Sequence, residues 1–594
     1  MLHNSGSALI TAITCTWLLG SPAVGRTIDS YNSHTTTVRS TDKACKPIPG
    51  DRNWPTTAEW DKLNATVSGR LIATEPIAHV CHAPSNPQSE ACKALRMQWG
   101  VAELQTSQPA EFLAPWFQNQ SCTPFGTENS PCRLGNYASY SINVSSSEDI
   151  VAGLAFAQGK NIRLVVKNTG HDLQGKSTGK GALSLWTHNM KDMKLVSKYQ
   201  SKYYNGPAIK VGAGVQIAEA VTFAAKSGFR TVVGSCPTVG VAGGYSQGGG
   251  YGLLASLYGL GADNVLEWEV VTIDGKLLKA SPTQNPDLYW ALAGGGGGTY
   301  GVVISMTARV FQDGPVSSAS FFFSTASAGS VDAYWNAIGL FHNRLPALVD
   351  QKGIVLSYSV SKDVFILYTV TAPNRTANEV VDLLRPLTSE LETAGLSLQS
   401  MGFNTTESAT YAEYYGGSLE PVLAESPISP VAGDRFISRA NMANNAAGVI
   451  KGFQDVTASG NFTLACVALN VNKSHIASAV ADNAVSPAWR SALATCIIGS
   501  VWSWGQSWDL VLEQQKELET SILPAFEAAT PGAAAYLNEA NFAQSDWQRT
   551  FYGTNYARLM DIKNRYDPKG VLYGVTAVGS EHWAEDGDGR LCRR

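Results

Sequence analysis

The run Gly234-Ser-Cys236-Pro-Thr238-Val239-Gly240-Val-Ala-Gly243-Gly244-Tyr-Ser246-Gln247-Gly248-Gly249-Gly-Tyr-Gly252 constrains this chain more than any other stretch. Each glycine costs a helix ~1 kcal/mol relative to alanine, and glycines weaken strands too. A folded protein keeps such a run where backbone must pass close to other backbone or to a ligand. A second cluster, Gly294 to Gly298, follows downstream. Upstream lies a polar loop, Asn168-Thr169-Gly170-His171-Asp172-Leu-Gln-Gly175-Lys-Ser177. Turns flanked by glycine present several free N–H groups and form nests for pyrophosphate oxygens. A histidine inside the nest sits beside whatever the phosphates carry. Together the two loops point to a dinucleotide held between them.

Around these loops the chain alternates strand and helix. Ala138 to Val144 reads as a strand, and Ser145-x-x-Glu148 as a capping box opening a helix through Gln158. Ile162 to Lys167 and Ala208 to Ala213 read as strands, Gln216 to Lys226 as a helix closed by Gly228, and Arg230 to Gly234 as a strand. Strand–helix–strand units place binding loops at strand ends. Val265 to Lys279 is a hairpin with a type I′ turn at Asp274-Gly275. From Pro315 the style changes. Helices over 331–348, 376–394 and 508–529 alternate with strands near 353–372, 396–403, 462–471 and 493–503.

Two motif matches point elsewhere. Gly244-Tyr-Ser246-Gln-Gly248 fits the G-x-S-x-G elbow of serine hydrolases, which needs a strand before the serine and a helix after it. Its glycine flanks form neither, yet a hydrolase using Ser246 stays the alternative function. Gly296-x-Gly298-x-x-Gly301 fits a dinucleotide fingerprint, but helix and strand come in reversed order around it.

Composition adds the compartment. Charged residues make up 15% of the 594, against roughly 25% in an average soluble protein. The net charge is −4 and no basic run occurs, so nucleic acid has no electrostatic footprint. Ala8 to Leu19 is apolar but too short for the ~20 residues of a membrane helix, and Ala23-Val-Gly25 follows as a cleavage pattern. Residues 1–25 are therefore expected to be a signal peptide, no membrane anchor is expected, and the protein is expected outside the cell as a monomer. Sequons at Asn64, Asn119, Asn143, Asn374, Asn404, Asn461 and Asn472 imply N-glycans. No zinc-type cysteine or histidine spacing occurs, so no metal site is expected. Among many allowed connectivities, the suggested pairs are Cys81–Cys92, Cys122–Cys132, Cys466–Cys496 and Cys45–Cys592, with Cys236 left over.

Three stretches taken together are recognisable: K-N-T-G-H-D from Lys167, the glycine run with Y-G-L-G-A-D-N-V-L-E after it, and N-Y-A-R-L-M-D-I-K-N-R-Y-D-P from Asn555. In motif order over residues ~135 to ~580 the chain resembles the berberine-bridge-enzyme-like flavoproteins of the vanillyl-alcohol-oxidase / PCMH superfamily, the secreted fungal members above all. The resemblance implies an α+β protein. It would comprise a stapled N-terminal extension (26–134), a PCMH-type FAD-binding domain of two α/β subdomains (135–314), an inserted α+β substrate domain (315–530), a berberine-bridge-type segment returning to the FAD domain (531–580) and a tail (581–594). It implies FAD bonded covalently to His171, and an alcohol of carbohydrate, phenolic or secondary-metabolite type as substrate. FAD contacts would come from Asn168, Thr169, Gly170, Asp172, Gly175, Ser177, Gly234, Thr238, Val239, Gly240, Gly243, Gly244, Gln247, Gly248, Gly249, Asp263, Asn264, Gly301, Val302, Val303, Asn555 and Tyr556. Cys236 matches a cysteine that forms a second flavin link in some relatives. Here the spacing to the next glycines is one residue longer, so a second link and a buried thiol both remain open. Val239 stands where a small β-branched residue goes with dioxygen as electron acceptor. Tyr536-Leu-Asn538-Glu539 stands where relatives carry Y-x-N-Y, which makes Glu539 either the catalytic base, with Tyr536 and Asn538 orienting, or a surface cap.

Overall fold

The computed structural model describes residues 45–82, 89–126, 130–418, 429–477 and 479–594. The expected signal peptide and the start of the extension lie outside these residues.

Three sheets carry the fold. In the first, Tyr140–Asn143 and Arg163–Lys167 both pair parallel with Ala182–Trp186. A parallel pair needs a crossover, and helix Ser147–Gly159 supplies it, burying Ile150, Leu154 and Ala157. Its start differs from the capping box expected at Glu148. Ser145 donates through both its N–H and its hydroxyl to Asp149, at 2.9 Å each. Asp149 takes the role because Arg70 of the extension grips the same carboxylate. The extension also adds strand Leu71–Ala73 antiparallel to Tyr140–Asn143, so it is part of this sheet rather than an appendage.

The second sheet runs Met193–Gln200, Asn205–Gly212, Val302–Gln312, Val265–Val271, Leu277–Ala280, with Phe229–Thr231 paired to the far end of Val302–Gln312. Every pairing in it is antiparallel. The strand–helix–strand reading through helix Ile217–Ala225 therefore yields no parallel pair here. The long strand Val302–Gln312 accepts both flanking strands along its length. The hairpin turn is also corrected. Gly275 N–H donates to the Thr272 carbonyl at 2.9 Å and only Gly275 has positive φ, +80°, which is a type I turn followed by a left-handed glycine.

The third sheet has seven antiparallel strands between Val316 and Ser500. Helices Val331–Val349, Ala377–Thr393 and Arg439–Thr457 bury Phe341, Leu345, Leu384 and Phe453 against it. The strand expected over 396–403 is a turn there, and the strand lies at Asn404–Ser408. The 508–529 helix is continuous but opens into a π-turn at Leu518–Ile522, just before Pro524. Proline has no N–H for the regular ladder, and the wider turn accommodates that.

The C-terminal segment then returns to the first sheet, where Leu572 bridges Leu164 in parallel. Disulfides Cys45–Cys592, Cys81–Cys92, Cys122–Cys132 and Cys466–Cys496 are all present. No cysteine among the described residues is free, so the spare thiol expected at Cys236 is not there. None of the seven sequon asparagines is buried. Among the described residues no helix is long and apolar enough to cross a membrane.

Candidate functional site

A cavity of about 270 Å³ opens where all three parts meet. Its walls are the loop after strand Arg163–Lys167, the glycine run, the turn at 536–539 and, from the seven-stranded sheet, Ala432 and Ile497. The loop lies beyond the carboxyl end of a parallel strand, where α/β sheets place ligands.

Asp172 shapes that loop. Its carboxylate accepts the N–H of Gln174 at 3.1 Å and both the N–H and hydroxyl of Ser177 at 2.7 Å. Gly175 turns beneath the Phe117 ring at φ +69°, outside the cavity wall. Asn168 donates through Nδ2 to the Ala213 carbonyl, while its Oδ1 is buried with no protein partner. His171 faces the cavity, and its Nε2 lies 2.5 Å from Thr238 Oγ1. Burial and then the Lys167 ammonium push its imidazole down to about 3, so the ring is neutral at working pH. Lys167, itself buried and pushed down to about 7, donates to the Gln108 carbonyl at 2.8 Å.

The glycine run forms a π-type turn, Val241–Tyr245, kinked at Gly243. A Cβ on Gly240 would stand 2.5 Å from Asn168 Oδ1, so only glycine lets the two loops touch. A Cβ on Gly244 would meet nothing nearer than Asn538 Oδ1 at 3.9 Å and would project into the cavity. The Gln247 carbonyl accepts the N–H groups of Gly294 and Gly296 at 3.0 and 2.8 Å, locking the two glycine clusters together. Gln247 Oε1, like Asn168 Oδ1, is buried without a partner. Buried acceptors left unpaired are costly, and both of these lie just behind the cavity wall, with Asn168 Oδ1 turned to Gly240. Ser246 is 1% exposed and off the cavity wall, which removes the exposed nucleophile an elbow requires.

The opposite wall holds the carboxyl chemistry. Glu539 lines the cavity, and the Tyr251 hydroxyl lies 3.0 Å from both its oxygens. Burial first, and the neighbouring Asp434 second, hold its carboxyl well above the ordinary range. Asp434, on strand Ala432–Ser438, is pushed up to about 7 by burial; it accepts from Thr495 Oγ1 at 2.6 Å and from the Tyr536 N–H at 2.5 Å. The Tyr536 hydroxyl accepts the Gly250 N–H at 3.1 Å and Asn538 Nδ2 at 2.6 Å, and Asn538 Nδ2 also donates to the Gly244 carbonyl at 2.9 Å. Asn538 and Tyr536 thus brace the glycine run against the turn that carries Glu539.

Of the expected contacts, Thr169, Gly170, Gly234, Cys236, Val239, Gly243, Gly301 and Val303 also line the cavity. Others lie elsewhere. Asp263 is fully buried in a bidentate pair with Arg490 at 2.7 and 2.8 Å, and Asn264 ties the Tyr258 and Leu260 carbonyls. Val302 is core, and Gly248 and Gly249 pack behind the wall under Asn538 and Tyr536. Asn555 bonds the Ala484 and Val485 carbonyls and Tyr556 bonds Glu581, both away from the cavity. Tyr251 and Asp434 are the site residues without a sequence motif of their own. Tyr251 sits inside the glycine run, where an aromatic among glycines is the available signal; Asp434 reaches the site only through sheet pairing.

Comparison with known proteins agrees with this geometry. Residues 138–281 match the FAD binding domain family, and residues 535–577 match the family described as berberine and berberine like. A bifunctional decalin synthase of Penicillium decumbens is 44% identical over 93% of this chain and 96% of its own. A VAO-type flavoprotein oxidase of Thermothelomyces thermophilus is 43% identical over 94% of this chain and 97% of its own. The crystal structure of a VAO-type flavoprotein from Myceliophthora thermophila C1 at pH 5.0 superposes with a TM-score of 0.89 at 42% identity, covering 93% of this chain and all of that one. Berberine bridge enzyme from Eschscholzia californica, at 15% identity and a TM-score of 0.62 over 88% of this chain and 98% of its own, shares the fold.

Proposed function

From the premise that the chain belongs to the VAO-type, berberine-bridge-like FAD-linked oxidoreductases, we propose that it is a secreted, N-glycosylated oxidase. It would carry FAD covalently on His171 and oxidise an alcohol group of a small molecule, with dioxygen as electron acceptor. The observation that carries this reading is one cavity with a neutral histidine on one wall and a half-buried carboxyl, held above its ordinary range, on the other.

The residues present fit FAD. Gly244 leaves open on the cavity wall the space a side chain would fill, and Gly170 and Gly243 keep the two facing loops free of side chains. Backbone N–H groups of 168–172 suit the pyrophosphate. When bound, the flavin supplies a two-electron hydride acceptor. The protein's own part is the proton. Glu539, ionised, takes the substrate hydroxyl proton on a carboxylate oxygen, and Tyr251 holds that carboxyl in place. Tyr536 and Asn538 fix the turn, and Val239 lines the cavity where the resemblance links a small β-branched residue with dioxygen as acceptor. The described oxidase among the relatives supports dioxygen as acceptor. Cys236 is not assigned a second link, because no free thiol remains there.

An anaerobic screen of sugars, phenolic alcohols and polyketide-type alcohols tests this, read by bleaching of the yellow absorbance. Bleaching by one class, followed by recovery and hydrogen peroxide on admitting air, is the expected result. A colourless protein, or bleaching that air reverses only over hours without peroxide, overturns the oxidase reading.

A further inference from the structure

Thr238 stands outside the cavity wall and yet holds the one histidine on it. Its hydroxyl lies 2.5 Å from His171 Nε2. Both ends of this contact are fixed by backbone. The Pro237 and Val239 carbonyls accept N–H groups from the first turn of helix Ile217–Ala225, at 3.1 and 2.9 Å, and Gln216 Nε2 donates to the Thr238 carbonyl at 3.3 Å. On the other side the Gly170 carbonyl accepts the Leu113 N–H at 2.8 Å. The hydroxyl therefore meets a ring whose loop cannot drift away from it.

We infer that Thr238 is a positioning residue for flavin attachment, acting through His171: it engages Nε2 as acceptor of the Nε2–H and leaves Nδ1 as the bare nitrogen. This rests on the reading that His171 carries FAD. A neutral imidazole has one N–H and one lone pair, and the hydrogen bond made by one nitrogen fixes which is which. Burial and the Lys167 ammonium keep this ring neutral, so its lone pair is available. Attachment exchanges one hydrogen of the flavin 8α-methyl for a C–Nδ1 bond. The methyl carbon and the imidazole each lose a proton, the latter from Nε2 along the Thr238 hydroxyl. Two electrons remain on the ring system, and dioxygen takes them up as hydrogen peroxide. Without the hydroxyl the ring is free to turn over or to adopt the other tautomer, and attachment slows while the cavity that binds FAD is untouched.

The test is to produce wild type, Thr238→Val, Thr238→Ala, Thr238→Ser and His171→Ala with excess FAD. Total flavin per folded protein and the fraction that stays with protein after acid precipitation are then measured separately. Valine keeps the shape and removes the hydroxyl, alanine guards against a packing artefact, and serine restores the hydroxyl. Expected are wild-type total flavin in all the Thr238 variants, an acid-stable fraction reduced at least tenfold in the valine and alanine variants, and recovery in the serine variant. Wild-type acid-stable flavin in Thr238→Val or Thr238→Ala overturns the positioning role while leaving attachment to His171 intact. So does loss of total flavin from all three Thr238 variants, which would make Thr238 part of the binding wall. Acid-stable flavin persisting in His171→Ala refutes the attachment site itself, and the positioning role with it.

Discussion

Asp434→Asn probes the carboxyl wall most sharply. The wild-type side chain is 3% exposed, and burial moves its carboxyl from 3.8 to about 7. The unfolded chain ionises near 3.8 and the folded protein only near 7, so the unfolded state gains an advantage as pH rises between those values. Above pH 7 that advantage is complete and amounts to about 4 kcal/mol, at 1.36 kcal/mol per tenfold difference in proton affinity. Asparagine keeps the shape and the acceptor for the Tyr536 N–H, and its Nδ2 can donate to Thr495 Oγ1 in place of the present bond. The variant should therefore melt at or below the wild-type temperature at pH 4 and above it at pH 8, with the difference growing through pH 5–7. Melting followed by flavin-independent far-UV signal, wild type and variant side by side in the same buffers, measures this. Since Asp434 is the second cause of the raised Glu539 carboxyl, the acidic limb of substrate oxidation should also move to lower pH. A melting difference that stays constant from pH 4 to 8 refutes the assignment of a buried, ionisable Asp434.

Glu539→Gln removes basicity at constant shape. The variant should stay yellow, lose the acidic limb, and reduce its flavin ~10²-fold more slowly or worse, as removal of a general base does; an unchanged reduction rate leaves the base elsewhere. Val239→Leu adds one methylene to the cavity wall. Either it overpacks the site, at about 1–3 kcal/mol of stability, or it fills the room beside the ring, and then reoxidation by air slows while anaerobic reduction by substrate does not; stopped-flow in both half-reactions separates the two. Asp263→Ala leaves the partly exposed Arg490 with only the Val471 carbonyl, and should cost up to about 3 kcal/mol while flavin per folded protein stays at the wild-type value. Loss of flavin without loss of stability would restore Asp263 to the cofactor site.

What the sequence made legible follows from range. The loop 168–177 and the glycine run announce themselves because their conformations need particular residues locally, such as glycine at 240 where any Cβ would strike Asn168. The disulfides followed from spacing and apolar context, with Cys466 and Cys496 directly opposite on neighbouring strands. Asp263 was expected at the cofactor only through the resemblance, while its partner, Arg490, lies 227 residues further along the chain. Asp434 was invisible for the same reason. Its charge matters at the cavity only because strand Ala432–Ser438 lies next to Ala492–Ser500 and its tip supports the turn at Tyr536. The antiparallel second sheet was also out of reach, since a strand–helix–strand pattern states order and not pairing. Long-range pairing is the information a single sequence holds least openly.

Peptide mass mapping tests most directly whether His171 carries the flavin. Wild-type protein is denatured, digested with trypsin and separated with detection at 450 nm. One yellow peptide is expected, containing His171 and heavier than its sequence by one FAD, and no yellow peptide from His171→Ala. A yellow peptide that lacks His171, or flavin released entirely on denaturing the wild type, contradicts it.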